Sequence, residues 1–82
     1  MLLVVVERFR GGDAGPIEKR FRTNGTTMPE VVRYRASWVD LSDACCFQLM
    51  EADRRELLAE WTSHWEDLLD FEIVAVVLSA EF

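Results

Sequence analysis

Apolar and polar positions alternate in blocks along the chain, and each block predicts an element. LLVVVERF, residues 2–9, is dense in β-branched residues and predicts a strand. GGDAGP interrupts it, and Asp13 is placed to cap a short helix over IEKRFR, with Pro16 in its first turn. Ile17 and Phe21 give that helix a thin apolar stripe, and Asn24-Gly25 supplies a stop. Pro29 holds Met28 extended, so VVRYRASWVDL reads as a second strand. LSDA is a turn, and CCFQLME follows as a third strand, making an antiparallel hairpin with the second. Asp53 and Glu56 are spaced as a capping box for RRELLAEWTSHWEDLL. Leu57, Leu58, Trp61, Trp65, Leu68 and Leu69 recur there at helical spacing, the broadest apolar stripe of the chain. FEIVAVVLSAEF closes as a fourth strand.

The order βαββαβ is the split-βαβ, ferredoxin-like plan of an α+β protein, here expected as one domain over residues 1–82. It places both helices on one face of a four-stranded antiparallel sheet. Such a sheet should alternate apolar and polar positions if its other face met water, yet LLVVV, CCFQLM and IVAVVL are nearly continuous apolar runs. A second copy packed on the open sheet face is the economical cover, so a homodimer is expected. In one assignment of faces, Tyr34, Trp38, Phe47, Leu49, Ile73 and Val77 lie toward the helices. Glu7, Arg33, Arg35, Gln48 and Glu72 then fall on the open face, among Leu3, Val5, Cys46, Met50, Val74 and Val76.

Size sharpens the need for a partner: a chain of 82 residues buries only about 60–65% of its unfolded surface. The net charge of −6 argues against nucleic acid, which needs a basic surface to release counterions. No apolar run approaches a membrane span, and MLLVVVERFR lacks the basic start and small-residue site of a secretory signal. A soluble, cytoplasmic protein is therefore expected. Adjacent Cys45 and Cys46 point to opposite faces of a strand and read as free thiols of a reducing compartment.

Candidate chemistry is sparse. EWTSHWEDL, residues 60–68, holds His64, the chain's one histidine, between Trp61 and Trp65. At 100° per residue it lies roughly 60° from Trp61 and roughly 40° from Leu68, on the margin of the apolar stripe. There an imidazole usually keeps its ring edge on the core and turns a nitrogen to water. As a catalytic acid or base it would stand at a pocket mouth, with Trp61, Trp65 and Tyr34 stacking on an aromatic ligand and Arg33 or Arg35 countering an anion. No metal spacing is present, and no cofactor motif: Gly11-Gly12 lacks the lysine of a phosphate loop.

VVERF near the start, MPE followed by RYRASWVD, CFQLMEA, and the run from EW through WEDLLDFEIV resemble a small bacterial family, domain of unknown function 3303. The resemblance covers nearly the whole chain. Val31 stands where a glycine often follows Pro-Glu, and Thr26-Thr27 replace a more basic or apolar approach to Met28. The resemblance implies a dimeric α/β-barrel and transfers no reaction, since the fold hosts several. The expected function is a stand-alone ligand-binding or accessory module. The alternatives are a cofactor-independent monooxygenase or isomerase acting on a small aromatic or polycyclic compound, and an interaction subunit without a pocket.

Overall fold

A computed structural model describes residues 1–25, 27–40, 42 and 44–82. Strand β1 spans Leu2–Phe9, helix α1 Gly15–Asn24, strand β2 Arg33–Asp40, strand β3 Cys45–Glu51, helix α2 Ala59–Ser63 and strand β4 Leu69–Val76. The strands form one antiparallel sheet in the order β2-β3-β1-β4. The two most apolar strand partners, β1 and β3, take the centre, and the charged β2 takes an edge. This is the α+β, ferredoxin-like arrangement expected from the element order.

One face of the sheet carries the core. Leu3, Val5 and Met50 are fully buried against Leu58, with Trp61, Trp65, Leu69, Val32 and Ala52 completing the cluster. Each fully buried aliphatic side chain contributes about 1.5–3 kcal/mol of transfer free energy. No helix among the described residues is long and apolar enough to cross a membrane.

The strand register corrects the expected faces. Directly opposed residues share a face, so Leu3, Val5 and Glu7 on β1 side with Met50, Gln48 and Cys46 on β3. All six face the helices rather than the open side. Phe47 and Leu49 lie on the open face with Leu2, Val4, Val6, Val74 and Val76. A bulge between Tyr34 and Ala36 places Arg35 as an extra residue and reverses the parity of β2. Tyr34 and Ser37 therefore both face the helices, while Trp38, opposite Phe47, faces outward and is 58% exposed. Ile73, Arg33, Val74, Val76 and Glu72 lie where the sequence placed them. Val77 lies past the end of β4.

The second helix is shorter than its apolar stripe predicts. Residues 54–68 form a 3₁₀ turn over Arg55–Leu58, the five-residue α2, and a series of turns. His64 and Trp65 donate their backbone N–H groups to Trp61 and Thr62, three residues back. Inside α2, Thr62 and Ser63 spend their hydroxyls on the carbonyls of Ala59 and Glu60. Such side-chain bonds compete with regular helix propagation. Burial of the stripe survives because steps of three and four residues suit tight turns as well as an α-helix. The segment before it begins at Arg54 with no side-chain cap, so the Asp53–Glu56 box does not close.

Asp13 does assist α1, from one residue outside the cap: its Oδ1 accepts the Gly15 N–H at 2.9 Å. The helix ends where Gly25, at φ 68°, donates its N–H to Phe21. Strand β4 starts two residues earlier than predicted and stops at Val76, which pairs with Leu2. Past that point β1 offers no partner, and residues 77–82 leave the sheet. The expected turn over residues 41–44 is described at Ser42 and Ala44, and Leu41, Asp43 and Thr26 lie outside the described residues.

Candidate functional site

The position with the most unusual chemistry is Glu7. It follows Leu3 and Val5 on the buried face of β1 and is itself only 5% exposed. Cys46 on β3 and Phe71 on β4 oppose it on either side. Gln48 donates its amide N–H to one carboxylate oxygen, and the Cys46 thiol donates as well. Burial raises the Glu7 carboxyl from 4.5 to about 7, against the opposing pull of those two hydrogen bonds. The thiol responds in kind: burial, and then the charge of Glu7, push Cys46 up to about 11.

A cavity of about 100 Å³ opens beside Glu7. Gln48 and Leu69 line it from the sheet side, Trp61 and Trp65 from the second helical segment, Ile17 and Phe21 from α1, and Met28 from the following loop. It adjoins a wider crevice of about 430 Å³, because Phe21, Met28 and Gln48 line both. Tyr34 and Ser37 complete the outer crevice, their hydroxyls 2.8 Å apart. The inner end thus offers a carboxyl and an amide among aromatic walls, and the outer end offers two hydroxyls.

Helix α1 forms one wall without burying any residue of its own. It is tied down through Arg20, whose two amino groups reach both carboxylate oxygens of Asp67 at 2.6 Å. The same guanidinium donates to the His64 carbonyl at 3.0 Å and lies 5.7 Å from the centre of the Trp65 ring. These hydrogen bonds hold the Asp67 carboxyl below its ordinary range. Trp65 is fixed from another side by its indole N–H, which Thr27 Oγ1 accepts at 3.2 Å. Trp61 packs edge-on to Phe71 with ring centres 5.8 Å apart.

Of the site residues expected from sequence, Trp61 and Trp65 line the inner cavity and Tyr34 the outer crevice. His64 is exposed at the end of α2 and lines neither, although its carbonyl joins the Arg20 cluster. Arg33 and Arg35 also stand apart, both donating to Glu51 Oε1 at 2.9 and 3.0 Å. Those two arginines, Arg35 first, draw the Glu51 carboxyl below its usual range. Glu7 was the residue that sequence reasoning passed over. Its signal was present: an acid at the same alternating position as Leu3 and Val5 in a strand otherwise apolar on that side. Among the described residues, no three of His, Cys, Asp and Glu gather as a metal ion requires.

Neither a curated protein nor a solved structure matches the chain. The family described as Domain of unknown function (DUF3303) matches it over residues 1–82, from the first strand through the last described turn, and the chain belongs to that family.

Proposed function

We propose that this chain is a small-molecule-binding module whose ligand lies in the crevice between α1 and the sheet. The observation that carries the reading is Glu7: a carboxyl 5% exposed, at the wall of a cavity lined by Trp61, Trp65 and Phe21. Leaving a titratable group in an apolar site costs folding free energy, and a structural core has no use for it. Trp61, Trp65 and Tyr34 serve as the aromatic walls. Any acid–base step in this crevice falls to Glu7, because His64 is exposed and lines neither chamber. Free Cys45 and Cys46 suit a reducing cytoplasm.

The test is a ligand-observed NMR screen of small aromatic compounds against wild-type protein and Ile17→Trp, which fills the cavity from α1. Binding to the wild type that the variant loses supports the site. Hits that bind both proteins equally, or a screen with no hits, would end the reading.

The module acts as a homodimer through its open sheet face. Leu2, Val4, Val6, Phe47, Leu49, Val74 and Val76 make that face apolar, and Trp38 projects from it. The Arg8–Glu72 and Arg33–Glu51 pairs stand at its margins, where charges can remain wet in a two-fold complex. Sedimentation at micromolar concentration should give a dimer for the wild type and a monomer for Trp38→Glu. A monomeric wild type would refute the association.

A further inference from the structure

We propose that the crevice selects small organic cations, an ammonium group meeting the Glu7 carboxylate while an aromatic or aliphatic body lies against Trp61, Trp65 and Phe21. This rests on the ligand-binding reading above and names its ligand class.

Charge balance is the first support. Glu7 is the sole lining side chain, among the described residues, that carries charge near neutral pH. The arginines that could have neutralised it are committed elsewhere: Arg8 to Glu72, Arg10 to Asp70, Arg20 to Asp67, and Arg33 with Arg35 to Glu51. A buried carboxylate without a counter-charge repels an anion and gains nothing from a hydrocarbon. A cation restores the interaction that burial removed.

Hydrogen bonding is the second support. Both protein partners of the carboxyl are donors, the Gln48 amide and the Cys46 thiol. They prepare its oxygens as acceptors and leave a third donor, such as an ammonium N–H, to complete the set. The walls are the third. Two indole rings and a phenyl ring border the cavity, and aromatic faces attract cations, most strongly when water is excluded. An inner chamber of about 100 Å³ admits a head group, and the adjoining 430 Å³ receives the body.

The proton balance follows from the groups that face Glu7. These are Cys46 and Gln48 from β3, Phe71 from β4, Ile17 and Phe21 from α1, and the two tryptophans. Cys46 is the other titratable member, and at about 11 it keeps its proton across the neutral range. Amine binding therefore draws on deprotonated Glu7 alone, and affinity should rise as pH passes upward through about 7.

The probes are phenethylamine, 2-phenylethanol and phenylacetate, each titrated against the full chain while the indole N–H signals of Trp61 and Trp65 are followed by NMR. The amine should bind roughly tenfold or more tighter than the alcohol, with phenylacetate weakest. Glu7→Gln should remove the amine's advantage over the alcohol. Should that variant not fold, the wild type decides. Its amine affinity should rise several-fold from about pH 5.5 to about pH 8.5, and that of the alcohol should stay flat. An alcohol or carboxylate that binds as well as the amine, or a flat amine profile, overturns the cation assignment and leaves the binding site standing. If none of the three moves the indole signals, both readings fall.

Discussion

Glu7 and Cys46 face each other across the centre of the sheet, an acid raised to about 7 beside a thiol raised to about 11. Burial favours the protonated form of each. The folded protein binds the Glu7 proton more tightly than the unfolded chain does. The stability contributed by that proton is complete below about pH 4.5 and is lost as pH rises through about 7. The loss amounts to about 3 kcal/mol at most. Glu7→Gln should therefore match the wild type near pH 4.5 and exceed it at pH 8, measured by urea unfolding at both values. Asp67 and Glu51 titrate below their ordinary ranges in both proteins and cancel in the comparison. A stability gap that does not change with pH would refute the assignment.

Trp61 is 3% exposed and carries both the core and the crevice wall. Trp61→Ala should cost about 3–5 kcal/mol, a large part of the stability available to a chain this size. Thermal unfolding followed by circular dichroism should show a broad transition well below that of the wild type. An unchanged melting temperature would mean the packing around Phe71 is not what holds this end of the sheet.

Arg20 is the latch of α1, since that helix buries none of its own residues. Arg20→Gln should raise amide hydrogen exchange across residues 15–24 while β1 and β3 stay protected. Equal exchange in the two proteins would show that Ile17 and Phe21 alone hold the helix in place.

Ala44 enters β3 at φ 48°, a left-handed conformation that a residue with a Cβ adopts at a cost of about 1–2 kcal/mol. The Phe9 N–H bonds to its carbonyl, so the conformation is locked by the sheet. Ala44→Gly should raise stability slightly, by about 0.5 kcal/mol after glycine's greater unfolded freedom is counted. A destabilised variant in the same urea titration would show that the methyl group packs usefully.

The strands were legible because apolar, β-branched runs bounded by glycine, proline and aspartate have few other uses. The sides they face were not. Residues 3, 5 and 7 group correctly with 46, 48 and 50 from alternation alone, but alternation does not say which group meets the helices. The extra residue Arg35 then reverses half of β2, and no composition signal marks it. The tryptophan stripe reads as one long helix in the sequence because spacings of three and four satisfy a chain of tight turns equally well. His64 stands out in the sequence as the sole imidazole, whereas Glu7 gains its unusual chemistry from neighbours on β3, β4, α1 and the tryptophan segment. Those neighbours are a property of the register and the packing, and a local stretch of sequence does not display them.

The sheet order leaves β2 and β4 as its outer strands, each with one side of its backbone open. An open strand is a template on which another chain can extend the sheet. At β2 the bulge at Arg35 interrupts the repeat, and Arg33 and Arg35 bring charge to the border, so a newcomer finds no continuous ladder. β4 pairs with β1 in unbroken register from Leu69 to Val76 and presents its other side regularly. The charges it carries, Asp70 and Glu72, lie in its first half and are paired with Arg10 and Arg8 of the neighbouring segment. The β4 border is therefore the side of the sheet on which a further strand finds the more regular template.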